Sequence, residues 1–372
     1  MSPVHFRMAF LVGWLGVAAL AFGQKPKVIV DQDGRGPGTT DMQAILMFAQ
    51  SPDVDVLGIT MVSGDQWVKE ETAHTLRLLE IAKRTDIPVF IGAENPLINT
   101  REESVWWDSR YGEPGATEGW TGDPGGKIET HNSYHPPDVI PELPEGMPTT
   151  KPANEHAVNF IIRMLHKYPG QVTLYAAGPL TNIALAISLD PEVAHLAKQI
   201  VVMGGGFYGE EDRYYGRREL NWWFDPEAAR IVLSAPWNKA VITTLDVSDK
   251  TRMSDQIQAQ IDKVDNPLTR YLKQFWRSSP MWDEIAAATV IDPNFEKDVI
   301  TSQKEMYVNC DIDHGPNYGE TIFMEKKDGV TVASWWKPAT VQLNLNTEKF
   351  YQMYIHLMTQ PPGSGKEGVP SH

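Results

Sequence analysis

Three aspartates lie within eleven residues near the start of the chain, and their spacing suggests a metal site. Asp31 and Asp33 stand at alternate positions where an apolar run, residues 27–30, ends, and Asp41 follows a turn rich in glycine and proline. Carboxylates this close together repel one another unless a proton or a cation holds them. Because Ca²⁺ and Mg²⁺ take oxygen ligands, the spacing favours a divalent cation site. The alternative for such a stretch is an acidic surface loop with helix caps.

The elements around these aspartates predict where the site lies. Residues 27–30 have the apolar, β-branched pattern of a buried parallel strand. Thr39 or Thr40 can cap a helix that opens at Asp41. Open α/β sheets bind ligands at the carboxyl ends of their strands, beside helix N-termini. We therefore expect a ligand site at the end of the first strand.

Strand and helix patterns alternate over the first two-thirds of the chain and predict the fold class. Strand patterns cover residues 27–30, 54–61, 87–91, 172–176, 199–203 and 239–245. Helical patterns cover residues 70–83, 155–168 and 183–188, and further helices are expected at 268–277 and 283–288. Repeated βα units form a mainly parallel sheet with helices on both faces. The last part adds β-rich runs at 305–308, 330–335 and 340–343 and a closing helix at 347–358. We predict a single α/β domain with an accessory C-terminal β/α part.

Segments of different composition divide the chain. Residues 1–23 join a basic start to an apolar run and a small-residue cleavage site, which predicts a secretory signal peptide. Residues 24–360 form the predicted domain, and within it residues 95–153 break the βα rhythm as a lid or insertion loop does. Residues 361–372 predict a flexible tail. No lipobox cysteine follows the apolar run, so the expected location is the periplasm or the exterior.

Charge and cysteine content narrow the expected partners. The formal net charge is −15, which argues against binding to nucleic acid or to an anionic membrane. Cys310 is the single cysteine, so an intrachain disulfide is excluded. No second apolar run is long enough to span a bilayer, and no membrane attachment is expected after signal cleavage. Nucleic acid and membrane surfaces are therefore not expected partners.

Two local motifs suggest other chemistries. Asp31-x-Asp33-Gly34 after a strand resembles the nucleophile motif of haloacid-dehalogenase-type phosphatases, in which Asp31 would attack phosphorus and Asp33 would be the acid/base. The comparable later acid, Asp65, comes too early in the chain for that family. Residues 204–209 formally match a dinucleotide fingerprint, but acidic residues rather than a helix pattern follow them. The phosphatase interpretation stays open as the weaker alternative.

Five segments in a fixed order resemble the inosine-uridine-preferring nucleoside hydrolase family. They are the strand-end acids, L-Y-A-A-G-P-L-T-N at 174–182, V-V-M-G-G-G at 201–206, E-L-N at 219–221 with D-P-E-A-A at 225–229, and W-D at 282–283. The resemblance extends from about Lys27 to Met358. It implies a nucleoside-hydrolase-like fold and hydrolysis of the N-glycosidic bond of a ribonucleoside or related riboside.

The resemblance also implies a cofactor and its ligands. Ca²⁺ would be held by the carboxylates of Asp33, Asp41 and Asp283 and by the carbonyl of Ala177, while Asp31 would orient these ligands from behind. Asp33 would be the catalytic base that accepts a proton from the attacking water. The implied partner is a nucleoside, and because members of the family are often dimers or tetramers, a homo-oligomer is compatible with it.

The implied substrate-binding residues surround these ligands. They are Thr40, Asp65, Met203, Glu219, Asn221 and Trp282, with Trp222 and Trp223 as candidates for stacking on a base. Glu219 and Asn221 match positions that bind the ribose 5′-hydroxyl, and Met203 matches a position in the sugar pocket. The alternative roles are a helix cap for the first two and a core side chain for the third.

Three positions depart from the family pattern. Thr40 stands where the family usually has an acid that binds the ribose 2′-hydroxyl, and Asp65 stands where many members have asparagine. Trp282 replaces a histidine that protonates the leaving base in some members. Candidates for that proton donor are loop residues, namely His131, His135 and Tyr214. The main alternative function is therefore a secreted metal-dependent riboside-binding protein with weak or no catalysis.

Overall fold

One nine-stranded sheet organises the part of the chain that the computed structural model describes, residues 25–111, 135–208, 217–327, 329 and 331–366. The strands are β1 (Lys27–Gln32), β2 (Asp55–Met61), β3 (Val89–Ile91), β4 (Val172–Ala176), β5 (Gln199–Met203), β6 (Ala240–Thr243), β7 (Ile300–Cys310), β8 (Thr321–Glu325) and β9 (Lys337–Leu345). The longer helices are α1 (Thr40–Gln50), α2 (Val68–Ile81), α3 (Arg101–Tyr111), α4 (Ala157–Lys167), α5 (Thr181–Leu189), α8 (Pro226–Ser234), α11 (Pro267–Phe275), α12 (Trp282–Ile291) and α14 (Thr347–Met358). The shorter helices are α6 (Val193–Leu196), α7 (Leu220–Phe224), α9 (Leu245–Ser248), α10 (Asp255–Ile261) and α13 (Phe295–Asp298).

The sheet is mainly parallel, as predicted. Its strand order is β3-β2-β1-β4-β5-β6-β9-β7-β8. In this spatial order, every neighbouring pair from β3 at one edge as far as β9 is parallel. Strand β7 pairs antiparallel with both β8 and β9. The antiparallel edge is the accessory C-terminal part that the sequence indicated. The predicted fold class is thus confirmed.

Hydrophobic layers cover both faces of the sheet. Val28 and Val30 of β1 pack into one layer with residues of α1, α12 and α14, while Ile29 packs into the other layer with residues of α4, α5 and α8. All six residues of β1 are buried. Because alternate side chains of a strand point to opposite faces, a central strand covered on both faces is apolar along its whole length. This explains the continuous apolar run at the start of the chain.

The strand order reverses at β1, which has β2 on one side and β4 on the other. The loops that leave β1 and β4 therefore run to opposite sides and open a crevice at the carboxyl ends of these strands. Ligand sites of open α/β sheets lie at such topological switch points. The first acidic residues of the chain stand at this crevice.

Two segments differ from the sequence prediction. The predicted strand over residues 330–335 is wrong, because residues 331–336 lie outside any strand in the described structure. The missed strand β8 pairs along its whole length with β7. Pairing partners rather than local composition decided which of these two β-rich segments became a strand.

The described parts of the predicted lid have defined contacts. Residues 101–111 form α3, and residues 135–153 lie along α2, where the Glu80 carboxylate accepts hydrogen bonds from the backbone N–H groups of Thr149 and Thr150.

Residues 361–366 of the predicted tail contact α1 through Gln50, whose amide donates to the carbonyl of Pro361 at 2.9 Å. Flexibility of the tail stays a prediction for residues 367–372. These residues, the middle of the lid and the predicted signal peptide lie outside the described residues. Within the described ranges, every helix is too short or too polar to cross a bilayer.

Candidate active site

Four oxygen-bearing groups from distant parts of the chain meet at the switch point. Asp33 follows β1 directly, Ala177 follows β4, Asp41 lies in the first turn of α1, and Asp283 lies in the first turn of α12. All four residues are at most 4 % exposed. The expected metal ligands therefore lie together in the structure.

The side-chain amide of Gln32 lies between these groups. Its Nε2 atom is 2.8 Å from the carbonyl oxygen of Ala177, 3.0 Å from Asp41 Oδ1, 3.3 Å from Asp33 Oδ1 and 3.4 Å from Asp283 Oδ2. Gln32 itself is fully buried. The four oxygens thus face one point, which an amide nitrogen occupies.

The three carboxyl groups lie in an environment that disfavours their charged forms. Burial raises the pKa of Asp33 well above its usual range, and the nearby charges of Asp41 and Asp65 raise it further. Burial also raises the pKa of Asp41 to about 7 and that of Asp283 well above its usual value. In the absence of a cation, protons therefore compensate part of the charge of this cluster.

The chemistry of these donors fits a hard divalent cation. Three carboxylates and a carbonyl are the oxygen ligands that Ca²⁺ prefers, and a neutral amide cannot offset the charge of three carboxylates. The ligand atoms of the three aspartates do not all lie within 4.8 Å of one another. Among the described residues, one group of histidine, cysteine or acidic side chains has ligand atoms that all lie within that distance. It consists of His166, Asp190 and Glu192 and is partly exposed. A cation between the aspartates therefore requires a rearrangement of the Gln32 amide.

Asp31 lies behind this cluster and does not face it. Both of its carboxylate oxygens lie 3.2 Å from Nδ2 of Asn182, which also donates to the carbonyl oxygen of Met61 at 3.0 Å. The Oδ1 atom of Asn182 accepts from the backbone N–H of Ala93 at 2.8 Å. Asn182 thus ties β1 to its neighbouring segments through Asp31. Burial raises the pKa of Asp31 to about 8.

Thr40 is linked to a residue that sequence reasoning missed. Its hydroxyl donates to Oε2 of Glu284 and accepts from the backbone N–H of Asp283 at 3.3 Å. Glu284 is fully buried, and burial raises its pKa to about 8. A buried acid therefore lies next to Thr40, one residue after Asp283 on the facing helix.

Asp65 and the Glu219 segment stand around the same crevice. The backbone N–H of Asp65 donates to Asp33 Oδ2 at 3.1 Å, and its carboxylate lies 3.9 Å from the Arg35 guanidinium. Glu219 is the N-cap of α7, with its carboxylate accepting from the backbone N–H groups of Asn221 and Trp222 at 2.9 and 3.2 Å. Glu219 thus has the helix-capping role that was the alternative to sugar binding. Its carboxylate can still accept a further hydrogen bond from a substrate hydroxyl.

Asn221 and Met203 contact each other at the end of β5. The amide Nδ2 of Asn221 lies 3.4 Å from the sulfur of Met203. Both side chains are buried, at 6 % and 3 % exposure. The end of strand β5 and the segment of α7 therefore pack against each other.

The tryptophans differ in their surroundings. Trp222 is fully buried in a core layer and packs on Gly204, where an added Cβ would lie 2.1 Å from its indole nitrogen. The structure thus places Trp222 in the core, and its expected role in base stacking has no support. Trp223 packs with Trp107 and Tyr318 in a separate aromatic cluster. Trp282 is half-buried beside Asp283 at the start of α12.

The structure describes one of the three proposed proton donors, His135. His135 lies over α2, where its Nε2 atom is 2.9 Å from a carboxylate oxygen of Glu70. His131 and Tyr214 lie outside the described residues. The described side-chain contacts of His135 are with Glu70 and Pro136, away from the aspartate cluster.

Sequence reasoning missed Gln32, Glu284 and Asn182. A polar residue between two aspartates at the end of a buried strand is a signal that was available, because such a side chain needs buried partners. A Glu next to the late Asp was visible too, but its partner Thr40 is 244 residues away in the chain. The pairing could be recognised only from the fold.

Comparison with known sequences gives the family of the chain. A family profile described as inosine-uridine preferring nucleoside hydrolase matches residues 28–352. The pyrimidine-specific ribonucleoside hydrolase RihB of Escherichia coli is 30% identical over 336 residues, which cover 84% of this chain and 95% of that protein. An uncharacterised protein of Schizosaccharomyces pombe is 29% identical over 352 residues, covering 90% of this chain and all of that protein.

Solved structures show the same fold. A plant nucleoside hydrolase, the PpNRh1 enzyme, superposes with a TM-score of 0.69 at 21% identity and covers 91% of this chain and 100% of its own. A purine-preferring ribonucleoside hydrolase from Gardnerella vaginalis gives a TM-score of 0.68 at 20% identity, with 90% and 98% coverage. The profile match over most of the chain confirms the resemblance seen in the sequence. The chain belongs to the inosine-uridine preferring nucleoside hydrolase family, whose members are enzymes that hydrolyse N-glycosidic bonds.

Proposed function

We propose that this protein hydrolyses the N-glycosidic bond of a ribonucleoside or related riboside with Ca²⁺ as its cofactor, giving the free base and ribose. The observation that carries the proposal is the meeting of Asp33, Asp41, Ala177 and Asp283 at the switch point of the sheet, around Gln32 Nε2. The family makes a nucleoside or close analogue the expected substrate. The oxygen donors make Ca²⁺ the expected ion.

Asp33 is the proposed general base. Its Oδ2 atom is held by the backbone N–H of Asp65, while Oδ1 faces the cluster centre. A bound divalent ion supplies an acidified water and binding positions for hydroxyl oxygens. Asp33 accepts the proton of the attacking water, and the remaining carboxylates stabilise the positive charge that develops on the ribose ring.

The other residues hold Asp33 and its neighbours in place. Asn182 fixes Asp31 behind the cluster, and Thr39 donates to Asp41 Oδ2 at 2.9 Å. On the sugar side, Asp65, Asn221 and Met203 are the proposed binding residues, with Glu219 ordering the turn that presents Asn221. Thr40 has one hydroxyl proton, and because it donates that proton to Glu284, it can serve a substrate hydroxyl only as an acceptor.

The test is release of reducing sugar from a panel of nucleosides. The panel includes pyrimidine and purine ribosides, because the relatives named above include a pyrimidine-specific and a purine-preferring enzyme. Sugar release is measured with Ca²⁺, after chelation, and with Asp33→Ala. We expect release that needs the cation and falls by at least about 10²-fold in Asp33→Ala, the effect of losing a general base. Release that is unchanged by chelation or by Asp33→Ala would overturn the mechanism.

One observation favours a second candidate, a riboside-binding protein without efficient catalysis. Thr40 has no carboxylate of its own, and its hydroxyl is engaged by Glu284 and Asp283. Calorimetric binding of a riboside in the presence of Ca²⁺, with no release of sugar, would support this candidate. The phosphatase alternative requires Asp31 to attack a substrate, but Asp31 is 2 % exposed and hydrogen-bonded to Asn182. Export to the periplasm or exterior and assembly into a homo-oligomer remain proposals from the sequence.

A further inference from the structure

The amide of Gln32 has more acceptors around it than it can serve. An amide NH₂ group carries two hydrogens, whereas four oxygens lie within 3.4 Å of Gln32 Nε2. Three of these oxygens belong to carboxyl groups. At any moment, at least two of the four oxygens therefore receive no hydrogen from this amide.

A divalent cation reverses the electrostatic preference of the same amide. The NH₂ end carries partial positive charge and is repelled by the ion, whereas the carbonyl end carries partial negative charge and is attracted to it. Side-chain carbonyls of asparagine and glutamine are ordinary ligands of Ca²⁺. The amide oxygen of Gln32 is therefore the end that a bound cation favours.

The Gln32 side chain has no route by which to withdraw. The residue is fully buried on the central strand β1, between β2 and β4. A half-turn about its last side-chain bond exchanges Nε2 and Oε1 without a change of shape. The amide can therefore respond to a cation by turning in place, and it needs no new space.

Tyr175 accommodates both orientations of the amide. Its hydroxyl lies 3.1 Å from Gln32 Oε1 and 3.2 Å from the backbone carbonyl oxygen of Asp283. A tyrosine hydroxyl donates one hydrogen and can also accept. In the described orientation it donates to Gln32 Oε1. After the half-turn, it donates to the Asp283 carbonyl and accepts from Gln32 Nε2.

We propose that Gln32 is a ligand of the cation through its side-chain oxygen, and that its amide turns so that this oxygen faces the ion, with the Tyr175 hydroxyl able to bond either end of the amide. The proposal rests on the cation-binding part of the proposed function. It assigns to Gln32 a role in metal affinity that is separate from the hydrolytic step.

The test compares Gln32→Met with a matched control, Gln342→Met, in the full chain. Gln342 is also fully buried on a strand, and its amide contacts Thr243 and Thr289 but none of the aspartates. Calorimetric titration with Ca²⁺ gives the affinity. Terbium(III) luminescence lifetimes in H₂O and D₂O give the number of water molecules on the bound ion. Neither measurement depends on hydrolysis.

Gln32→Met is expected to bind Ca²⁺ at least roughly tenfold more weakly than the unmodified protein. Mutation of residues that support a metal site commonly lowers metal affinity by this much. Its bound terbium(III) should carry about one more water, because an oxygen ligand is replaced by solvent. Gln342→Met should match the unmodified protein in both measurements. Unchanged or tighter Ca²⁺ binding by Gln32→Met, with an unchanged water count, would overturn the proposal and make the amide a group that the ion displaces.

A second variant keeps the test decisive if Gln32→Met does not fold. Gln32→Glu retains an oxygen in the same place, so its terbium(III) should carry as many waters as in the unmodified protein or fewer. An additional water in Gln32→Glu would contradict the ligand role. Ca²⁺ binding that follows these expectations without any sugar release would leave the Gln32 proposal standing and refute the hydrolase proposal alone. An unmodified protein that binds neither ion would refute both.

Discussion

The hydrogen bond between Thr40 and Glu284 joins the first turns of α1 and α12, and its energy can be measured by a double-mutant cycle. The variants are Thr40→Val, which is nearly isosteric, Glu284→Met, and the double substitution. Both side chains are buried, at 7 % and 0 % exposure, so solvent cannot replace a lost partner. These first turns carry Asp41 and Asp283. The contact therefore sets how the two acids face each other.

The structure gives the expected sizes. Thr40→Val removes the hydroxyl that donates to Glu284 and accepts from the N–H of Asp283, so two buried groups lose a partner. At 1–3 kcal/mol for each unsatisfied group, the expected loss in the free energy of unfolding is about 3 kcal/mol. Glu284→Met leaves only the Thr40 hydroxyl hydrogen without an acceptor and costs about 1 kcal/mol. The double variant no longer contains the buried carboxyl that Thr40→Val leaves unsatisfied. Its loss in the free energy of unfolding should therefore be roughly 2 kcal/mol smaller than the sum of the losses of the two single variants.

The assay is urea unfolding followed by tryptophan fluorescence and circular dichroism in the presence of a chelator, so that cation binding does not contribute. A control cycle combines Thr40→Val with Glu348→Met, because Glu348 is exposed on α14 and should give additive losses. Additive losses in the Thr40 and Glu284 cycle as well, within about 0.5 kcal/mol, would refute the argument that this contact stabilises the site.

Three further predictions follow from single contacts. Gly64→Ala places a Cβ 2.1 Å from Asp33 Oδ2, so the segments of Gly64 and Asp33 must move apart and riboside hydrolysis should fall at least about tenfold; full activity in a steady-state assay would contradict the argument that hydrolysis depends on the present position of Asp33. Asn182→Leu removes the donor to both oxygens of Asp31 and should lower the free energy of unfolding by about 3 kcal/mol, measured by urea unfolding against Asn317→Leu at an exposed position. Burial raises the pKa of Glu219 to about 7 from its ordinary value of 4.5, so its contribution to stability is complete below about pH 4.5 and is lost as the pH rises through 7. Glu219→Gln should remove this loss of about 3 kcal/mol, and a Tm that falls as steeply from pH 5 to 8 in Glu219→Gln as in the unmodified protein would contradict the assignment.

Local patterns in the sequence were sufficient for most of the fold. Strands β4 and β5 and helix α14 have the bounds that the apolar periodicity predicted. The spacing of apolar side chains along these segments, with period two in strands and 3.6 in helices, indicates which face of each element is buried. The prediction for 330–335 was wrong because strand pairing is a property of the assembled sheet, in which β8 and not this segment pairs with β7.

For the site, the sequence by itself determined the residue types and their places at element ends. Asp33 at the end of a strand and Asp41 and Asp283 at the starts of helices follow from local patterns and from the family resemblance. Only the tertiary structure decided what these residues meet. The amide of Gln32 contacts Asp283, 251 residues away, and Thr40 contacts Glu284, 244 residues away. Such contacts depend on the strand order around β1 and on how α1 packs against α12, because local periodicity fixes which face of an element a side chain occupies but not which side chain of another element lies opposite to it.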